Sequence, residues 1–222
     1  MRHLNPDDGA KVAAAIKAAE ARTDGEISAI VAASSDNYND VVLHWALLFA
    51  LLPLAVSAAW PALLFWGASL LSPWDDPSLR LILTLVLVKM IAVFLIARYL
   101  IGIQAIRMRL TPAATKHRRV RRRALMLFRT GTEQRTLSTT GVLLYLSLAE
   151  RRAEIVADAA IHAKAPQEEW GAAMAALVSA MKDNRPGDGM AAAVERIGAV
   201  LAEHFPRTGT DPNELPDRLI QL

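Results

Sequence analysis

From Val41 to Leu71 the chain carries no Asp, Glu, Lys or Arg, and from Leu81 to Ala97 it carries only Lys89. A helix rises about 1.5 Å per residue, so roughly 20 apolar residues cross a hydrocarbon layer of about 30 Å. Both blocks are long enough to span. The 53% hydrophobic content and positive mean hydropathy fit apolar surface placed outside an aqueous core. Ser72-Pro73-Trp74-Asp75-Asp76-Pro77 separates the blocks with turn formers and two acids. The expectation is a transmembrane hairpin over residues 41–103, with spans near 43–66 and 81–103. Pro53 and Pro61 predict a kink or tilt in the first span, and Trp45, Trp60 and Trp66 suit a membrane interface. Lys89 reads as an anchor that snorkels toward the turn, with an ion-path lysine as the alternative.

Orientation follows the basic flank. Gln104 to Thr132 has no acid and contains Arg107, Arg109, Lys116, Arg118, Arg119, Arg121, Arg122, Arg123 and Arg129, whereas the hairpin turn has only Arg80 nearby. Juxtamembrane Lys and Arg stay in the cytoplasm, and two spans return the chain to its starting side. Both termini are expected in the cytoplasm of a cell whose inner membrane holds the hairpin.

The polar flanks read as helices and strands. Asn5-Pro6-Asp7-Asp8 marks a helix start, and Val12, Ile16 and Ala19 repeat along one face to about Ala21. After Gly25, Glu26–Ala33 is short and rich in Ile and Val, as a buried strand is. Beyond the hairpin, Val120, Ala124, Leu127 and Phe128 form the apolar stripe of a basic helix. Gly141–Leu148 and Ala153–Ala157 are two apolar runs joined by the charged turn Glu150-Arg151-Arg152, which predicts two strands and a tight reversal. Pro166 then opens a helix carrying Trp170, Met174, Leu177, Val178 and Met181, and Asn184 to Gly189 breaks it. Met190, Val194, Ile197, Leu201 and Phe205 line a last helix stopping at Pro206, and the tail from Asp211 is extended or turn. A helix and a strand of forty residues bury too little surface to fold alone. The expectation is therefore one discontinuous α/β domain, residues 1–40 plus 104–222, interrupted by the hairpin.

Catalytic signatures are missing from the sequence. It has no P-loop, GxGxxG, GxSxG or HExxH, and without cysteine it has neither a thiolate nucleophile nor a Cys-based zinc site. His3, His44, His117, His162 and His204 occur singly, without ligand spacing. The polar candidates lie at strand ends: Ser34, Ser35 and Asp36 after the first strand, and Asp158 after the third. Asp158 and Asp36 suit a hard cation such as calcium or magnesium, and Ser34 and Ser35 suit a phosphate; the alternative is a turn cap at Asp158 and a polar strand exit at 34–36. Arg118, Arg119, Arg121, Arg122 and Arg123 are expected to face anionic lipid at about 1 kcal/mol each. A nucleic-acid partner is not expected, since only Phe128 offers an aromatic ring among these cations.

Glu20-Ala21-Arg22-Thr23-Asp24-Gly25-Glu26-Ile27, Thr140-Gly141-Val142-Leu143-Leu144-Tyr145-Leu146-Ser147-Leu148 and Ala153-Glu154-Ile155-Val156-Ala157-Asp158 together resemble the TPM domain family, sometimes labelled a phosphatase domain. The resemblance is to the bacterial membrane subgroup whose domain is split by a two-helix hairpin, and Asn213-Glu214-Leu215-Pro216-Asp217 is similar to that subgroup's ending. It implies a Rossmann-like α/β/α sandwich. For function it implies either a membrane-tethered interaction, scaffolding or modulatory module acting on another membrane protein, or a weak metal-dependent phosphate-ester hydrolase. A transport component is the third reading, supported by Lys89 and Arg98 alone. Many relatives place the domain outside the cytoplasm, which differs from the topology argued here.

Overall fold

The computed structural model describes residues 4–71, 73–132, 140–165, 167–208 and 218–222, so Ser72, Pro166 and the tail motif Asn213–Asp217 lie outside the described residues. The chain forms two compact units, Asn37–Pro112 and the joined segments Met1–Asp36 and Ala113–Leu222.

In the joined segments, α1 (Pro6–Glu20) starts as its sequence dictates, with Pro6 at the first turn and Asp7 and Asp8 at the positive end of the helix. β1 (Glu26–Ala32) is buried along its whole length. It pairs in parallel with β2 (Gly141–Ser147), from Glu26 opposite Gly141 to Ala32 opposite Ser147. β3 (Arg152–Ala157) returns antiparallel to β2, and β4 (Ile220–Gln221) adds in parallel to β1, giving the order β3-β2-β1-β4.

Strand residues alternate between two cores, as the pleat requires. Ile27, Ala29, Val31, Val142, Leu144 and Leu146 point to α1, α8 (Gly171–Lys182) and α9 (Pro186–His204), where Val12, Ile16, Leu177, Met190, Ile197 and Leu201 cover them. Ile30, Ala32, Leu143 and Tyr145 point the other way, to Val120, Ala124 and Phe128. The first two belong to α6 (Ala113–Leu127), and Phe128 opens a single π turn to Thr132. The result is a mixed sheet between two helical layers.

Several elements depart from the sequence-based expectation. A short helix, α7 (Ala159–Lys164), follows β3, and a 3-10 turn (Gln167–Trp170) leads into α8. The break after α8 shrinks to Asp183–Arg185, with Asn184 at φ 55°, because Pro186 opens α9 at once. Gly187 then sits inside the helix, where a Cβ would lie 2.3 Å from Asp8 of α1; its missing side chain permits that close approach.

The other unit holds α2 (Asn39–Ala59), α3 (Pro61–Ser69), α4 (Leu79–Gly102) and α5 (Gln104–Leu110). Pro53 lies within α2 without ending it. The helix expected to run to about residue 66 stops at Trp60 instead, since Pro61 drives its predecessor out of the helical region (φ −131°, ψ 73°). Val42 and Ala46 of α2 pack on Ala97 and Ile101 of α4, with Trp45 and Phe49 stacked alongside. α2 and α4 are long and apolar enough to cross a membrane.

Candidate functional site

Parallel pairing of β1 and β2 places Ala32 and Ser147 side by side, and the polar residues that follow them meet at this end of the sheet. Ser34, Ser35 and Asp36 leave β1. Glu150 arrives from the tight turn after β2, where Arg151 takes φ 50° and its N–H donates to the Leu148 carbonyl.

Glu150 is 6% exposed and organises the cluster. Its Oε1 accepts the Ser35 backbone N–H at 2.9 Å and lies 3.3 Å from Ser34 Oγ, while Oε2 accepts the Ser147 hydroxyl. Ser34 Oγ also donates to the Asp36 carbonyl at 2.8 Å, and Ser35 Oγ shares a 2.9 Å hydrogen bond with the fully buried Tyr145 hydroxyl. Burial pushes the Tyr145 phenol above its ordinary range; the Ser35 hydrogen bond opposes this and the nearby Glu150 charge adds to it. Asp36 Oδ2 accepts from Arg119 Nη1 at 3.0 Å and lies 3.5 Å from Arg122 Nη2.

Chemically this end of the sheet is an internally hydrogen-bonded network. Both carboxylates are engaged by protein donors, and the hydroxyl that Ser35 meets is the buried Tyr145 phenol. A buried, hydrogen-bonded carboxylate that fastens two loops is costly to expose and well suited to rigidity. Glu150 is absent from the candidates that sequence reasoning supplies, because Glu-Arg-Arg reads as a solvated turn.

Asp158 does not join the cluster. β3 runs antiparallel, so its carboxyl end lies at the start of β2, opposite Gly141, whose N–H donates to Asp158 Oδ2 at 2.7 Å. A seven-residue strand at about 3.3 Å per residue sets Asp158 roughly 20 Å from Ser34–Asp36. The strand-end rule that grouped them holds for parallel strands only. A cation shared by Asp158 and Asp36 has no geometric basis, and among the described residues no group of three or more His, Asp or Glu is placed to hold a metal ion. Asp158 stands at the N-cap of α7 but makes no side-chain cap there.

The arginine run divides as well. Arg119 is turned to Asp36, its side chain only 12% exposed, and Arg123 is close enough for its charge to act on Tyr145. Neither fits the expected lipid-facing set. Arg118, Arg121 and Arg122 do line one open groove of about 620 Å³ on α6, joined by Arg129 and floored by Leu125 and Met126. Helical geometry explains the split: residues 119 and 123 are one turn apart and face inward with Val120 and Ala124, whereas 118, 121, 122, 125 and 129 share the outer stripe.

These features define a class: an α/β sandwich whose sheet is completed across an inserted pair of long apolar helices. Residues 106–200 match the family model of the TPM domain. Among solved structures it is similar to the BA42 protein from the psychrophilic bacterium Bizionia argentinensis, determined by NMR. The two share 17% sequence identity at a TM-score of 0.58, over 100% of this chain and 97% of that one, a likeness of fold. The comparison with curated proteins gives no match.

Proposed function

We propose that the chain is a membrane-tethered interaction module. In this reading α2 and α4 anchor it in the inner membrane of a bacterial cell, both termini lie in the cytoplasm, and the TPM domain is presented to another membrane protein. The observation that carries it is the contrast between the two polar regions. The carboxylates at the strand ends are consumed by internal bonds, while Arg118 and Arg121 of α6 and Arg129 of the π turn after it stand exposed along one stripe, where anionic headgroups can approach. Lipid apposition of that stripe would fix the orientation in which the domain meets its partner.

The natural absence of cysteine makes the topology directly testable. Asp75→Cys in intact cells is expected to react with a membrane-impermeant maleimide, and Leu222→Cys only after permeabilisation. The opposite pattern, or release of the chain from membranes by alkaline carbonate, would sink the reading.

A further inference from the structure

A second concavity lies wholly inside the α/β unit, where the β2–β3 turn meets α8. Its volume is about 440 Å³, within the range of roughly 300–1,000 Å³ typical of small-molecule sites.

One wall is apolar. Met174, Leu177, Val178 and Met181 are spaced i, i+3, i+4 and i+7 along α8, and Val178 is 48% exposed, leaving aliphatic surface for something other than the core to cover. The two methionines supply unbranched thioether chains that adapt to a flexible guest. The rim is cationic: Lys116, Arg151, Arg152 and Lys182 border the same space. None of the four is in an ion pair among the described residues. Among the described residues the only acid in the lining is Glu150, whose oxygens already accept from Ser35 and Ser147.

An apolar wall beside a cationic rim matches a guest with the opposite arrangement. We propose that this cleft binds a single-chain anionic amphiphile, an alkyl phosphate or fatty carboxylate, with its chain along Met174, Val178 and Met181 and its head at the Arg151–Arg152–Lys182 rim. A bare phosphate leaves the apolar wall wet, and a neutral chain leaves the cations unmatched. The site is independent of the lipid-facing role assigned to α6.

The test uses the full chain in phosphatidylcholine nanodiscs and dodecyl phosphate bearing a terminal photoreactive diazirine. Crosslinking is expected within residues 171–182. The rim variant Arg151→Gln/Arg152→Gln/Lys182→Gln should reduce it by about tenfold or more, since one charge-assisted contact to the head is worth about that factor. Val178→Arg, which fills the cleft from a solvent-facing position, should abolish it with the circular dichroism spectrum unchanged. Equal labelling by the dodecyl maltoside analogue, labelling indifferent to the rim variant, displacement by equimolar inorganic phosphate, or labelling confined to 39–59 and 79–102 would each overturn the proposal.

Discussion

Glu150 accepts the backbone N–H of Ser35 at 2.9 Å across 115 residues of sequence, and so ties the exit of β1 to the turn that follows β2. The bond is part-buried, and the Ser147 hydroxyl, fully buried, holds the other carboxylate oxygen. Removing the side chain leaves those donors without their acceptor in a site that water does not easily enter. Glu150→Ala is therefore expected to cost about 2–3 kcal/mol in urea unfolding, and Glu150→Gln clearly less, because the amide keeps one carbonyl for Ser35. Equal losses for the two variants would show that charge, not hydrogen bonding, is what the site requires.

The two sides of α6 predict opposite phenotypes for neighbouring arginines. Arg119→Gln strips Asp36 of its 3.0 Å partner and should lower stability. Arg118→Gln/Arg121→Gln/Arg129→Gln, all on the open groove, should cost less stability than Arg119→Gln, since these side chains are exposed and only Arg121 acts on a buried carboxyl, Glu154. A polarity-sensitive fluorophore on Met126→Cys is expected to shift to shorter wavelength in nanodiscs containing phosphatidylglycerol, relative to phosphatidylcholine alone. The triple variant should remove the shift and Arg119→Gln should not.

The centre of the fold was readable because its strands are short, mostly apolar runs rich in Ile, Val and Leu, EISAIVA and GVLLYLS, as strands of a sheet covered on both faces are. The edges were not. β4 is two residues long and exists because β1 offers free backbone groups, with the Leu222 N–H donating to the Val31 carbonyl; nothing local in Leu219–Leu222 encodes it. α7 is too short to show a period. At the candidate site, Ser34, Ser35 and Asp36 were legible as a polar strand exit, but Glu150 was hidden by a partner 115 residues away. Asp158 was misplaced although the tight β2–β3 reversal was expected, since that reversal itself sends the end of β3 to the opposite end of the sheet, beside the start of β2.

Packing of α1 on α9 makes two glycines respond differently. A Cβ on Gly198 would lie 2.4 Å from the Ala19 Cβ and 3.1 Å from its Cα, so the two helices must separate to admit it. Gly198→Ala is expected to cost about 1–3 kcal/mol through that displacement. Gly9, in the helical stretch of α1, meets nothing within 4 Å. Gly9→Ala should stabilise by about 0.5–1 kcal/mol by lowering the entropy of the unfolded chain. Thermal unfolding of both variants checks the sign at each position.

Glu154 on the edge strand β3 supplies the pH dependence. Burial pushes its carboxyl above the ordinary range, while the positive charges of His117, Arg121 and Arg152 pull it back. Its side chain is 16% exposed, and His117 Nδ1 lies 3.1 Å away. A carboxyl raised in the folded state binds its proton more tightly there than in the unfolded chain. Its contribution to stability is thus complete below the unfolded value of about 4.3 and is lost as pH rises through the folded value. Over that window the folded chain takes up more protons than the unfolded one, so stability falls with rising pH from this group. Glu154→Gln, which cannot ionise, should flatten the stability profile there and leave the variant more stable than the parent above it. His117→Gln removes one of the charges that favour the carboxylate and should extend the window upward. Urea unfolding across a pH series, with the Glu154 carboxyl followed by NMR, reads both effects; a Glu154→Gln variant with the parent's slope would show that another group carries the dependence.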